Sequence, residues 1–207
     1  NESSILPIKG IKIVYPSNAA DMKGLMKAAF YDPNPVVMFE HKGIYWSKVP
    51  GTEEAKTPEP SEDYMVPLGK ARVAQNASDE AVENGESIAV ITYGMGVYWA
   101  KSAAKQFDNQ IEILDLRTLS PCDDEAIFEQ VRKHGKVLVL TEETITNSFA
   151  ESIAGRISKN CFESLDAPVQ TMGSIDTPAV PMNMGQEKVM LPNADKVASL
   201  LREMLDY

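Results

Sequence analysis

The sequence predicts an α/β protein with a mostly parallel, open sheet, helices on both of its faces, and a smaller β-α-β unit in front of it. Three observations lead there. Short apolar stretches of strand length alternate with helical periodicity along most of the 207 residues, which implies parallel strands joined by right-handed crossovers. Residues 111–124, IEILDLRTLSPCDD, run from an apolar strand directly into a helix start. Ser120 suits the N-cap, Pro121 the first helical position, and Asp123 and Asp124 lie where the helix dipole favours negative charge. That strand is flanked by the same pattern on both sides and is placed at the centre of the sheet. Finally, residues 47–67 interrupt the pattern with Pro50, Pro58, Pro60 and Pro67 and divide the chain. The expected parts are residues 1–46, a linker at 47–67 and a larger domain at 68–207.

Residues 1–10 give no clear element. Residues 11–15, IKIVY, read as a strand that Pro16 and Ser17 end. Met22, Leu25, Met26 and Ala29 fall at helical spacing over 18–30, with Ser17 or Asn18 as cap and Asp21 in the first turn. The run Tyr31-Asp32-Pro33-Asn34-Pro35 is a turn, and residues 36–39 form a second strand. Such a unit cannot cover its own two strands and is expected to lean on a larger sheet. The linker, rich in Glu, Lys and Ser, is expected to be extended and solvated. Beyond it, strands are expected at 68–74, 87–93, 111–116, 136–140 and 168–172. Helices are expected from 97 to about 107 and over 121–134, 149–161 and 193–205, the last with Val197, Leu200, Leu201 and Met204 as its buried stripe. Residues 76–86 read as a polar surface loop and 173–191 as irregular.

Composition excludes several classes. A net charge of −10 argues against nucleic acid as partner, because phosphate contacts need clustered Lys and Arg. Cys122 and Cys161 make no CxxC and no metal-ligand cluster, so reduced thiols are expected. No apolar run approaches the ~18 residues of a membrane span, and no stretch reads as a signal peptide.

The residues that could carry chemistry are scattered. Gly94 and Gly96 follow a strand and open a helix, as in a dinucleotide-binding turn, but Trp99 stands where a third glycine or alanine belongs, and a tight-turn role is favoured. Glu142 and Glu143 follow a strand at the carboxyl edge, where paired carboxylates can do acid–base work or face solvent. His41 also follows a strand, without a nucleophile or metal-ligand partner in view. His134 lies in the last turn of a helix beside Lys133, where a cation suits the dipole. Asp176-Thr177-Pro178 is a turn signal. Spacing alone assembles no complete active site, and no catalytic or cofactor-binding residue is assigned.

At LDLRTLSPCDD the sequence resembles the β-subunit of the thiamine-diphosphate-dependent 2-oxo acid dehydrogenases, the E1 components that act on pyruvate or branched-chain 2-oxo acids. GIKIVYPSNAADMKGLMKAA and DPNPVVMFEH look like the closing β-α-β of that family's pyrimidine-binding domain. PLGKA looks like the entry to the transketolase C-terminal fold, and ITYGMGV and LDAPVQTMGSIDTPAVP follow in the family's order. Residues 76–86 depart from the pattern by their length. Transketolase and deoxyxylulose-phosphate synthase share the fold but match less well at LRTLSP and DTP.

The resemblance implies a C-terminal portion of a longer β-subunit or α–β fusion. In the family, the glutamate, aromatic and histidine of the active site, and the groups that hold diphosphate and magnesium, lie outside these residues. The chain alone is therefore expected neither to bind thiamine diphosphate nor to catalyse. Its implied roles are homodimerisation, pairing with the E1 α-subunit, and docking of the basic peripheral-subunit-binding domain of the E2 lipoyl acyltransferase. The implied compartment is the cytoplasm or, in a eukaryote, the mitochondrial matrix. Some family members hold a structural potassium ion on backbone carbonyls at the turn after the first helix, and the matching positions are Ala29, Asp32 and Asn34. Carbonyl oxygens are suitable hard ligands for such a cation. Two rival readings remain: a non-catalytic interaction protein on the same scaffold, and a nucleotide-binding module using Gly94 and Gly96.

Overall fold

The computed structural model describes residues 2–207. Its larger sheet has five strands: β3 (Arg72–Gln75), β4 (Ile88–Thr92), β5 (Ile111–Asp115), β7 (Val137–Thr144) and β8 (Gln170–Ser174), in the order β3-β5-β4-β7-β8. The last four run parallel, and β3 is antiparallel to β5. A smaller sheet orders β2 (Val36–Met38), β1 (Lys12–Val14) and β6 (Thr118–Ser120). The helices are α1 (Ala19–Tyr31), α2 (Lys42–Tyr45), α3 (Asp79–Glu83), α4 (Gly96–Ala104), α5 (Asp124–His134), α6 (Phe149–Asn160), α7 (Met184–Met190) and α8 (Ala194–Leu205). None of them is long and apolar enough to cross a membrane.

The strands are apolar at nearly every position because both faces of the sheet are covered. Ala89, Ile91, Val137 and Val139 point toward α5 and α6, where they meet Ile127, Val131, Ile153 and Ile157. Their neighbours Ile88, Val90, Leu138 and Leu140 point the other way, onto Ala100 and Ala103 of α4 and Val197 and Leu201 of α8. Ile13 and Tyr15 of the smaller sheet join the first of these cores, so the two sheets share apolar interior.

Several expectations change. The helix after β5 does not start at Ser120 and Pro121. Arg117 turns the chain with φ 56°, and residues 118–120 pair antiparallel with β1 instead. The helix begins at Asp124, and its N-cap is Asp123, whose carboxylate accepts the Ala126 N–H at 3.4 Å. β5 is not central; that place belongs to β4, flanked by β5 and β7. The polar stretch 76–86 contains α3, with Ser78 as N-cap accepting from Ala81 N–H. The irregular stretch 173–191 contains α7, capped by Asn183. The expected strand at 68–74 begins only at Arg72, and the expected helix to 107 ends at Ala104.

The linker is not a solvated spacer. Thr52, Ala55 and Val66 are buried, and Val66 N–H donates to Gly24 O at 3.2 Å. A Cβ on Gly24 would lie 2.6 Å from Val66 Cγ2, so glycine there lets the strap lie flat on α1. Lys23 pairs with Glu59 at 2.9 Å, and Thr57 Oγ1 accepts from Ala20 N–H at 2.9 Å.

Candidate functional site

The carboxyl ends of β1, β2, β4 and β7 converge where the two sheets meet. Two groups of polar side chains occupy this region.

The first is a charge cluster in the seam. Asp21 is drawn into the protein from the first turn of α1, which Asn18 caps. Arg117 Nη1 donates to Asp21 Oδ1 at 3.0 Å, while its Nε and Nη2 donate to the carbonyls of Lys70 and Ala71. Arg72 Nε lies 3.3 Å from Asp21 Oδ2, and its Nη2 lies 3.4 Å from Asp115 Oδ2. Ser17 donates its hydroxyl to Asp115 Oδ2 at 2.5 Å, and Tyr98 donates to Ser17 O at 2.6 Å. Burial pushes the Asp115 carboxyl upward, against the pull of Ser17 and Arg72. Two carboxylates and two guanidinium groups thus balance inside the seam, the arrangement that burial of charge demands. The cluster was visible in the sequence only in part. Asp115 and Arg117 stand in the LDLR run, but nothing local says that Asp21 and Arg72 close the circuit.

The second group lies along the carboxyl edge. His41, just past β2, and Glu142, which lies within β7 rather than after it as expected, meet across the seam: His41 Nε2–H donates to Glu142 Oε1 at 3.1 Å. His41 Nδ1 accepts the N–H groups of Gly43 and Ile44 and caps α2. Glu142 draws the imidazole pKa above its ordinary value, whereas the cap requires a bare Nδ1. Protonation therefore trades the cap for a stronger ion pair. Glu143, adjacent in sequence, turns inward. It accepts from Ser3 N–H at 3.1 Å, Ser3 hydroxyl at 2.8 Å and Phe149 N–H at 2.7 Å. The two glutamates thus have different partners: one bonds a histidine and the other ties the N-terminal segment to α6. Glu2 lies beside Glu143, and burial, with the neighbouring carboxylate, raises it to about 7.

The remaining candidates are absorbed by structure. Gly94 takes φ 55°, and a Cβ there would lie 2.8 Å from the Tyr15 ring; a Cβ on Gly96 would lie 2.0 Å from Thr92 Oγ1. The turn is packed closely against Tyr15 and Thr92, in keeping with the tight-turn role. His134 ends α5, buried, with Ser87 Oγ 2.7 Å from Nδ1 and Glu112 Oε1 3.5 Å from Nε2. Burial would raise the Glu112 carboxyl, but His134, Lys133 and the Ala77 N–H outweigh it and hold it at about 2. Cys122 is half-buried and its thiol is pushed up to about 12 by burial, and Cys161 caps the end of α6. Asp176 accepts the Thr146 hydroxyl.

At the turn after α1, Asp32 N–H donates to Ala29 O at 3.3 Å, and the Asp32 carboxylate accepts from Lys12 and, at 2.9 Å, from Asn34 N–H. Lys12 holds the Asp32 carboxyl below its usual range. Among the described residues no group of three His, Cys, Asp or Glu converges as a metal site.

A two-faced α/β sheet locked through buried charge to a smaller mixed sheet defines a class of domain. Residues 79–197 match the model of the transketolase C-terminal domain family, and the chain belongs to that family. It is 40% identical over 201 residues to the 2-oxoisovalerate dehydrogenase subunit beta of Bacillus subtilis (strain 168), covering 96% of this chain and 57% of that one. It is 34% identical over 200 residues to the pyruvate dehydrogenase E1 component subunit beta of Rhizobium meliloti (strain 1021), covering 94% and 40%. The chain thus spans about half the length of these relatives. A solved structure, a split-gene transketolase described as an inactive beta4 tetramer, superposes with a TM-score of 0.72 over 99% of this chain and 60% of that one, at 19% identity. That likeness concerns the fold.

Proposed function

We propose that this chain acts as the C-terminal part of an E1 β-subunit of a 2-oxo acid dehydrogenase. Oxidative decarboxylation of a 2-oxo acid and acyl transfer to lipoyl-E2 would be the activity of the whole enzyme. The observation that carries the reading is similarity along 94–96% of the chain to relatives named as β-subunits of such enzymes. In this reading residues 1–46 close a pyrimidine-binding domain, 47–67 strap it to the next, and 68–207 serve homodimerisation, contact with the α-subunit and docking of E2. Thiamine diphosphate supplies the decarboxylation chemistry and is assigned, with magnesium, to parts of the enzyme outside these residues. The cytoplasm or the mitochondrial matrix is the compartment that fits.

The test is to precipitate the native polypeptide from its source cells with an antibody raised to this chain. A band well above 22.8 kDa, with carbon dioxide released from a labelled 2-oxo acid by the precipitate, is expected. A band at this size without such release favours the scaffold reading and sinks the enzymatic one. Calorimetric titration of the isolated chain with thiamine diphosphate and magnesium should give no binding heat.

Potassium on the carbonyls of Ala29, Asp32 and Asn34 belongs to the same proposal. Potassium chloride should raise the melting temperature above that in choline chloride of equal ionic strength. Equal melting temperatures for the parent chain would remove the ion.

A further inference from the structure

A cavity of 370 Å³ opens where the carboxyl ends of β1 and β2 face the strap. Its walls are apolar: Met22 of α1, Ile44 and Tyr45 of α2, then Trp46 and Ala55. Tyr45 and Trp46 meet edge to face at 5.0 Å between ring centres, yet they stay 54% and 62% exposed. Aromatic rings left in water beside a hollow of ligand size are a feature of small-molecule sites.

The polar lining decides what fits. His41 is already engaged, with Nε2 on Glu142 and Nδ1 on the N–H groups of Gly43 and Ile44. Asn18 uses both its side-chain oxygen and its nitrogen on Asp21. Glu40 and Lys56 also line the hollow. Both are exposed, and among the described residues neither side chain has a hydrogen bond or an ion pair. Lys56 adjoins Thr57, whose Oγ1 accepts the Ala20 N–H, so its charge stands by the first turn of α1, where the helix dipole also favours a negative group. Glu40 follows β2.

We infer that this cavity binds a free α-amino acid with a large apolar side chain. Its carboxylate faces Lys56, its ammonium faces Glu40, and its side chain covers Tyr45 and Trp46. A simple carboxylate would leave Glu40 unanswered and a simple amine would leave Lys56 so, whereas a zwitterion with an apolar body answers both charges and the aromatic wall. The inference concerns a cavity of this chain and does not depend on the enzymatic role proposed above.

The probes are L-phenylalanine, 3-phenylpropanoate, which lacks the ammonium, and phenethylamine, which lacks the carboxylate. Each is titrated into the chain by calorimetry and followed by tryptophan fluorescence. Because the charges sit at an exposed rim, phenylalanine should bind about fivefold more tightly than either analogue. Lys56→Gln should remove that advantage and leave phenethylamine unchanged. Glu40→Gln should remove it too and leave 3-phenylpropanoate unchanged. Trp46→Phe should keep the binding heat and lose most of the fluorescence response. Both charged side chains are exposed, so circular dichroism should report the parent fold in each variant. Equal affinity for the three probes, weakening of all three alike by either charge variant, or the absence of saturable heat would overturn the inference. A dimer in sedimentation that Trp46→Ala dissolves would give the cavity to a second copy and overturn it as well.

Discussion

Arg117 is where the smaller sheet and the larger one are bound most tightly together. Its guanidinium bonds Asp21 and the carbonyls of Lys70 and Ala71, and its own carbonyl accepts the Tyr15 N–H at 2.8 Å. Arg117→Ala leaves Asp21 and Asp115 facing Arg72 alone in a buried seam. The loss should be about 3–5 kcal/mol, because an uncompensated buried charge costs more than the pair had contributed; urea unfolding of the variant measures it. Glu112 gives a pH-dependent counterpart. Its folded-state value of about 2 lies below the ordinary 4.5, so its contribution is complete above 4.5 and disappears as pH falls toward 2. Glu112→Gln should lower stability at neutral pH and flatten the dependence of stability on pH across that window, as read by denaturant titrations at stepped pH. Neither residue could be ranked from the sequence, where Arg117 stood between an apolar strand and an expected helix start and Glu112 in an otherwise apolar strand. The bonds that fix both reach from 21 residues, between Glu112 and Lys133, to the 102 between Tyr15 and Arg117, beyond any local pattern.

Among the elements, those legible in the sequence were the ones with apolar periodicity and a clear cap. The helices α1, α6 and α8 lie within a residue or so of their expected bounds; Asn18, one of the two expected caps of α1, caps it, and Ser148 and Asn193, not singled out beforehand, cap the other two. The helix α5 was displaced for a physical reason. Asp123 caps it and also accepts the Ala71 N–H at 3.0 Å, so the helix start is set by a distant strand rather than by Ser120 and Pro121. Asp123→Ala should therefore cost about 1–2 kcal/mol, more than a cap alone at an exposed helix, since the Ala71 N–H also loses its partner. Thermal unfolding compared with an Asp124→Ala control, which removes the Arg156 partner but leaves the cap, checks this. Helices α3 and α7 escaped notice because they are short and carry little apolar periodicity.

At the scale of the whole molecule, the sequence yielded the fold class and the place of the chain among 2-oxo acid dehydrogenase relatives, but it did not show how the parts join. His41 and Glu142 were each weighed alone, 101 residues apart in the chain, and they meet only because β2 and β7 end at one seam. The linker, read as solvated, lies along α1 and buries Ala55 and Val66. A single protease cut at the exposed residues 61–63 should therefore leave both pieces together. Size-exclusion chromatography of the nicked protein should elute it at the intact position, and separation into two peaks would show that the seam is weak.

The placement of β6 carries that expectation further. It is made by the second half of the chain yet lies against β1 of the first. A polypeptide ending at the strap would be born with the outer edge of β1 bare, and a bare edge recruits another strand wherever one is offered. Produced as two genes, the first half should collect in insoluble material when made by itself. Made beside the second half it should stay in solution, which would turn a junction in the fold into a complementation assay.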